Sequence, residues 1–117
     1  MLLVEDQEAV QIAARRILVR AGYTVLTARD GAEALAMLEA ATARVNVVVT
    51  DLTMPKMGGA ELVRHLAALD PRLPVVYMSG FAEETTAPEL AQHTFLQKPF
   101  TIDALTGAVR AALDRSA

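Results

Sequence analysis

The segment Val45–Asp51 constrains the fold more than any other stretch, because it reads as a strand that is apolar on both faces. It holds four valines within five positions and ends on an aspartate. Consecutive apolar side chains in a short strand are typical of a parallel sheet that is covered by helices on both sides. Open α/β sheets of this kind bind their ligands at the carboxyl ends of the strands. Asp51 is therefore the first candidate functional residue.

Strands and helices alternate along the rest of the chain. Between the predicted strands lie segments whose apolar residues have helical spacing. The four further strand-like segments are Met1–Val4, Tyr23–Thr27, Val75–Met78 and Thr94–Gln97. A short helix is also predicted over Glu83–Gln92. Such alternation predicts parallel strand pairing with right-handed crossovers. We expect an α/β fold of the flavodoxin-like kind: a three-layer sandwich with a five-stranded parallel sheet of order 2-1-3-4-5 and five helices.

The composition predicts a single compact domain over residues 1–117. The chain is 53% hydrophobic, its mean hydropathy is +0.30 and its formal net charge is −3. No apolar run approaches the ~20 residues that a bilayer span needs, and no signal peptide is recognisable, so a cytoplasmic location without membrane contact is expected. The absence of cysteine excludes disulfides and thiolate metal sites. The acidic balance argues against direct nucleic-acid binding. Because a strand begins almost at Met1, the sequence is expected to be either a segment of a longer protein or a chain with a short native start.

Three positions carry signals for helix ends. Gly22 follows the first helical segment, where a left-handed backbone often ends a helix. Asp30 and Glu33 have the spacing of a capping box, in which each side chain bonds a backbone N–H group of the other residue. Thr101 precedes the last helical segment and is predicted to cap it.

Polar side chains follow or end four of the predicted strands. Glu5 and Asp6 follow the first, Asp51 ends the third, Ser79 follows the fourth and Lys98 follows the fifth. Because parallel strands point the same way, these residues are expected to meet at the carboxyl edge of the sheet. Clustered carboxylates repel one another, and a hard cation such as Mg²⁺ relieves that repulsion. Lysine and serine can bind phosphate oxygens, and an aspartate can itself form an acyl phosphate. The pattern therefore indicates a site for phosphoryl chemistry.

Short motifs along the whole chain occur in an order that is characteristic of one family. They resemble the CheY-like receiver domain of two-component response regulators. A finer resemblance links two segments, Met78–Phe81 and Phe95–Phe100, to the C-terminal receivers of hybrid sensor histidine kinases. The motifs that carry the family resemblance are Glu5-Asp6, Asp51, Met54-Pro55, Gly58-Gly59, Met78-Ser79-Gly80 and Lys98-Pro99-Phe100.

The resemblance implies a phosphoacceptor in a two-component phosphorelay. Asp51 would accept a phosphoryl group from a histidine kinase or from its phosphohistidine domain. The domain would act in signal transduction and not as an enzyme with a free substrate. Mg²⁺, or Mn²⁺ in its place, would be held by Glu5, Asp6, Asp51 and the backbone carbonyl of Thr53. Whether two copies of the chain pair as a homodimer stays open.

Four residues near the fourth and fifth strands receive roles through the same resemblance. Ser79 would shift to bind the phosphoryl group, and Lys98 would pair with it. The ring of Phe95 would turn inward when Ser79 moves, which would change the interaction surface near these strands. The Lys98–Pro99 peptide bond would be cis.

Three other functions fit parts of the pattern. A Mg²⁺-dependent phosphohydrolase also uses an aspartate nucleophile, but it usually needs a second acid near that nucleophile and a cap over its substrate. Leu52-Thr53 follows Asp51 here, and the sequence has no insertion that would form a cap. A flavin-binding module would need a phosphate-binding loop where Glu5-Asp6 would repel phosphate. A receiver that is not phosphorylated and serves only as an interaction module is the remaining alternative.

Overall fold

The structure is a computed structural model that describes residues 1–40, 45–52, 57, 59–80 and 93–116. Its strands are β1 (Leu2–Val4), β2 (Leu26–Ala28), β3 (Val48–Asp51), β4 (Val75–Ser79) and β5 (Thr94–Gln97). The helices of the described part are α1 (Glu8–Arg20), α2 (Gly31–Ala40), α3 (Gly59–Leu69) and α4 (Ile102–Ser116). All strands are parallel, and the sheet order β2-β1-β3-β4-β5 confirms the prediction. The fifth predicted helix, over Glu83–Gln92, lies outside the described residues. Within the described part of the chain, no helix has the length and hydrophobicity that a membrane span requires.

The sheet is covered on both faces, as the valine-rich third strand predicts. Val47 and Val49 pack with residues of α1 and α4 on one face, whereas Val48 packs with residues of α2 and α3 on the other. All three side chains are fully buried. Burying one valine stabilises the fold by about 1.5–3 kcal/mol relative to leaving it exposed. The burial on both faces fixes β3 between two helix layers, so the predicted three-layer sandwich is confirmed.

The second strand begins later than the sequence predicts. Leu26–Ala28 pairs with β1, and Tyr23 lies outside the sheet. The Tyr23 N–H group donates to the Leu18 carbonyl at 3.1 Å, and the Gly22 N–H group donates to the Val19 carbonyl at 3.0 Å. Gly22 has a φ of +102°, the left-handed backbone that such a helix end favours. Tyr23 therefore closes the end of α1 instead of starting the strand.

Side chains cap the N-termini of two helices. The Glu33 N–H group donates to Asp30 Oδ1 at 2.8 Å at the start of α2. The Ala104 N–H group donates to Thr101 Oγ1 at 3.0 Å at the start of α4. The predicted caps at Asp30 and Thr101 are thus confirmed. The other half of the capping box, a bond from the Asp30 N–H group to the Glu33 carboxylate, is not among the hydrogen bonds of the described residues.

Asp30→Ala is expected to lower the free energy of unfolding by about 1 kcal/mol, because the first turn of α2 loses its side-chain acceptor. Glu33→Ala is the matched control, since Glu33 is exposed and only its backbone takes part in the cap. Denaturant titration of both variants measures the difference. Equal losses of stability in the two variants would contradict the role of Asp30.

Candidate functional site

Three carboxylates meet at the carboxyl edge of the sheet. Glu5 follows the last residue of β1, Asp6 is next in the chain, and Asp51 ends β3. These strands are neighbours in the sheet, so their ends lie side by side. One carboxylate oxygen of each residue lies within 4.8 Å of those of the other two. Glu5 and Asp51 are buried, whereas Asp6 is exposed.

The Lys98 ammonium group lies among these carboxylates. Its Nζ atom is 2.8 Å from Glu5 Oε1 and 3.3 Å from Asp51 Oδ1. Lys98 follows β5, and β4 separates β5 from β3, so the long side chain must span the end of β4 to reach the acids. The Lys98 N–H group donates to the Ser79 carbonyl at 2.9 Å, which ties the lysine backbone to the end of β4. The Lys98–Pro99 peptide bond is cis, which is the isomer that the resemblance implied.

Burial and crowding change the protonation of this cluster. The Glu5 side chain has no exposed surface, and this burial, together with the adjacent Asp51 charge, raises the Glu5 pKa to about 7. The Lys98 ammonium opposes the rise through its hydrogen bond and its charge. For Lys98, burial favours the neutral amine, but the hydrogen bond to Glu5 and the Asp51 charge outweigh burial and raise its pKa. Lys98 is therefore a cation at neutral pH, whereas the Glu5 carboxyl group is close to the midpoint of its titration at that pH.

The cluster fits a hard divalent cation. Glu5 Oε2 is buried and has no hydrogen-bond partner in the described part of the chain. A buried oxygen without a partner carries a desolvation cost that a proton or a cation would offset. Oxygen atoms are the ligands that Mg²⁺ prefers, and Mg²⁺ usually binds carboxylates together with several waters. Glu5, Asp6 and Asp51 supply that donor set. Thr53, whose carbonyl was the fourth predicted ligand, lies outside the described residues.

Ser79 and Phe95 lie on the two strands beyond Asp51. Ser79 is buried at the end of β4 and is in register with Gln97 of β5. Phe95 lies on β5 with 38% of its surface exposed, and its ring centroid is 5.5 Å from that of Tyr77 on β4. The Phe95 ring is therefore partly open to solvent beside the strand that carries Ser79.

Two polar side chains near the acids were not predicted from the sequence. Gln11 of α1 donates through Nε2 to the carbonyls of Glu5 and Ala28, at 3.1 and 3.2 Å. The Thr50 hydroxyl donates to the Asp51 carbonyl at 2.9 Å. A glutamine in an amphipathic helix reads as part of its solvated face, and threonine is common in strands, so neither residue carried a sequence signal.

Comparison with known proteins identifies the family. The family model for the response regulator receiver domain matches residues 1–110. The chain is 39% identical to the sensor kinase CckA of Brucella abortus over 118 residues, which cover 98% of this chain and 12% of that protein. It is 34% identical to the response regulator MprA of Mycobacterium ulcerans over 119 residues, which cover 99% of this chain and 50% of that protein. The chain thus spans a small part of the first relative and half of the second.

A solved structure shares the fold over nearly the whole chain. It is a response regulator receiver protein from Sinorhizobium medicae, with a TM-score of 0.90 and 31% identity over 99% of this chain and 94% of that one. The similarity to a sensor kinase agrees with the finer resemblance to the receivers of hybrid kinases. From the family match over residues 1–110 and the shared strand order, the chain belongs to the receiver domains of two-component response regulators.

Proposed function

We propose that Asp51 is the phosphoacceptor of this receiver domain, which we take to span residues 1–117. The observation that carries the proposal is the position of the Lys98 ammonium, 3.3 Å from Asp51 Oδ1 and 2.8 Å from Glu5 Oε1. The lysine is a fixed cation beside a buried aspartate, and the neighbouring acids can bind a metal ion as a second cation. Phosphoryl transfer needs this arrangement of charges. The domain would act as a switch that holds one phosphoryl group, and not as an enzyme that turns over a free substrate.

The acidic cluster would hold the metal ion. Glu5, Asp6 and Asp51 would bind Mg²⁺, with the Thr53 carbonyl as the further ligand that the resemblance implied. Mn²⁺ is expected to substitute, because it prefers the same oxygen ligands. When bound, the ion would neutralise negative charge on the carboxylates and on the transferred phosphoryl group. The buried Oε2 of Glu5, which lacks a hydrogen-bond partner in the described residues, supports this assignment.

The transfer needs no co-reactant besides the phosphodonor. A carboxylate oxygen of Asp51 attacks phosphorus, a P–O bond forms, and the P–N bond to the donor imidazole breaks. The imidazole leaves with the bonding electron pair and takes a proton from water. The Lys98 ammonium would pair with one phosphoryl oxygen, and the Ser79 hydroxyl would donate to another.

The proposed donor is a histidine kinase or a phosphohistidine domain in the cytoplasm. The proposed response is a change in the interaction surface near β4 and β5. Phe95 supports the location of this surface, because its partly exposed ring lies beside the strand that carries Ser79. Contacts to the phosphoryl group would favour a minor state in which Ser79 and Phe95 have moved. The similarity to the sensor kinase CckA supports a hybrid histidine kinase as the parent protein.

Incubation with acetyl phosphate tests the proposal. In the presence of Mg²⁺, intact mass should show one added phosphoryl group per chain, and removal of the metal with EDTA should prevent the addition. Borohydride reduction of the acyl phosphate, followed by peptide mapping, should locate the modification at Asp51. Beryllofluoride, which mimics a phosphoryl group on a carboxylate, should bind under the same conditions.

Each alternative function predicts a different result in these assays. Failure of both Mg²⁺-dependent incorporation and beryllofluoride binding would indicate an interaction module that is not phosphorylated. Steady release of phosphate from added phosphate esters would indicate a phosphohydrolase. Modification of a residue other than Asp51 would refute the assignment of the acceptor.

Lys98→Ala is expected to accept a phosphoryl group but to lose the response of β4 and β5. Without the ammonium, one phosphoryl oxygen loses its partner, so incorporation from acetyl phosphate should slow by about tenfold or more. The NMR signals of Phe95 and Tyr77, which should shift in the wild type when beryllofluoride binds, should then stay in place. Arg16→Ala is the matched control, because it removes an exposed positive charge from α1. If beryllofluoride shifts the Phe95 signals of Lys98→Ala as far as those of the wild type, the role assigned to the lysine is contradicted.

A further inference from the structure

The side chain of Gln11 bridges the ends of two neighbouring strands. Its Nε2 atom donates to the carbonyl of Glu5 at 3.1 Å and to the carbonyl of Ala28 at 3.2 Å. Glu5 follows β1 and Ala28 ends β2, and these strands pair side by side. The Glu5 N–H group also donates to the Ala28 carbonyl, at 3.0 Å. Both peptide groups that flank Glu5 are therefore held, one by β2 and the other by Gln11.

The backbone of Gln11 holds the other end of the acidic segment. Its N–H group donates to the carbonyl of Gln7 at 2.9 Å. Gln11 thus bonds to Glu5 and to Gln7, and Asp6 lies between these two residues in the chain. Asp6 is exposed, so packing against the core does not fix its position. The first turn of α1 therefore holds the residue after Asp6, and the Gln11 side chain holds the residue before it.

The acidic segment needs an anchor because its carboxylates repel those around them. One carboxylate oxygen each of Glu5, Asp6 and Asp51 lies within 4.8 Å of those of the other two. β1 is only three residues long, and its pairing with β2 and β3 ends at Val4, before the two acids. A glutamine amide suits this place because it supplies two N–H groups to two carbonyls and adds no charge to the cluster. Gln11 also lines the same surface pocket as Glu5 and Asp6.

We infer that Gln11 is a positioning residue for metal binding, and that its amide fixes the Glu5–Asp6 main chain so that both carboxylates face one ion. The inference rests on the proposed function, because it concerns the affinity of the same acids for Mg²⁺. Residues that hold metal ligands in place commonly change the affinity by about tenfold or more when they are replaced. Gln11 would act through the backbone of its neighbours and would not itself bind the ion.

Gln11→Met tests the inference, because methionine keeps the length and helix preference of the side chain and removes both donors. Titration calorimetry with Mg²⁺ should show a loss of affinity of about tenfold. Exchange of the Glu5 amide hydrogen in EDTA should become about tenfold faster, because the end of β1 opens more easily without the two Gln11 hydrogen bonds. At saturating Mg²⁺, incorporation from acetyl phosphate should return to the wild-type rate, because every acid is still present.

Two control variants separate positioning from a general loss of stability. Gln7→Met makes the same chemical change at the N-cap of α1, where the side chain makes no capping hydrogen bond. Leu73→Ala lowers stability at the opposite edge of the sheet, where the buried Leu73 precedes β4. The affinity for Mg²⁺ should be unchanged in both controls.

The outcomes distinguish this inference from the proposed function. If the wild type binds Mg²⁺ and Gln11→Met binds it with the same affinity, the positioning role is overturned and the metal site stands. An equal loss of affinity in Leu73→Ala would also overturn it, because the effect would then follow stability. A wild-type protein that binds no Mg²⁺ would refute the metal site itself, and the positioning role with it.

Discussion

Asp51→Asn is expected to reduce phosphoryl incorporation by more than about 100-fold, to the background of the assay. The asparagine side chain has nearly the size of aspartate, so it fits the buried position at the end of β3. Its amide offers neither a nucleophilic carboxylate oxygen nor a negative charge for the metal. Because the nucleophile is lost, the defect should persist at every Mg²⁺ concentration.

Asp6→Asn is the matched control for this variant. Asp6 belongs to the same acidic cluster but is exposed, and the proposed transfer does not use it as a nucleophile. Loss of its charge should weaken Mg²⁺ binding, so excess Mg²⁺ should restore incorporation. Intact mass after incubation with acetyl phosphate measures both variants. Full incorporation in Asp51→Asn would show that another residue is the acceptor.

In EDTA, the free energy of unfolding is expected to decrease as the pH rises from about 4.5 to about 7, and Glu5→Gln should remove this decrease. The pKa of Glu5 is about 7 in the folded protein, against an ordinary value of 4.5. Between these values the folded state keeps a proton that the unfolded state has lost, so a rise in pH favours unfolding. The difference between the two pKa values corresponds to at most about 3 kcal/mol. Glu5→Gln should exceed the wild type in stability by up to this amount near pH 8.

Two other groups change stability with the opposite sign. Burial lowers the pKa of the Met1 amino group and of the His93 imidazole, and the Arg115 charge adds to the effect on His93. Both groups bind protons more readily in the unfolded state, so their contribution reduces stability as the pH falls. These contributions are common to the wild type and to Glu5→Gln. The difference between the two unfolding free energies at each pH therefore isolates Glu5.

Excess Mg²⁺ provides the internal check on the Glu5 prediction. A metal that binds only the folded state stabilises the wild type, and it binds best when Glu5 is charged. Glu5→Gln lacks that ligand charge, so near pH 8 the wild type should become the more stable protein. A stability difference in EDTA that stays constant across the pH range would contradict the buried, charge-crowded position of Glu5.

The parallel direction of the strands and the edge at which the acids meet were predictable from residue patterns, and the strand order followed from the flavodoxin-like fold type. A strand with valines at consecutive positions must be covered on both faces, and alternating helices make the strands parallel. Parallel strands end at one edge, so Glu5, Asp51 and Lys98 converge without any knowledge of side-chain packing. The start of β2 was not predictable, because Tyr23-Thr-Val25 has strand-like residues, whereas the Tyr23 N–H group donates to the Leu18 carbonyl of α1.

The sequence by itself determined the fold class, the three-layer burial of β3 and the set of residues at the functional edge, because these follow from local patterns and strand direction. Tertiary structure alone decided which atoms meet. Lys98 and Glu5 are 93 residues apart in the chain, and their 2.8 Å contact depends on how strands from both ends of the sequence pack. The raised Glu5 pKa and the Gln11 bridge have the same origin, since burial and hydrogen-bond distances exist only after the elements are assembled.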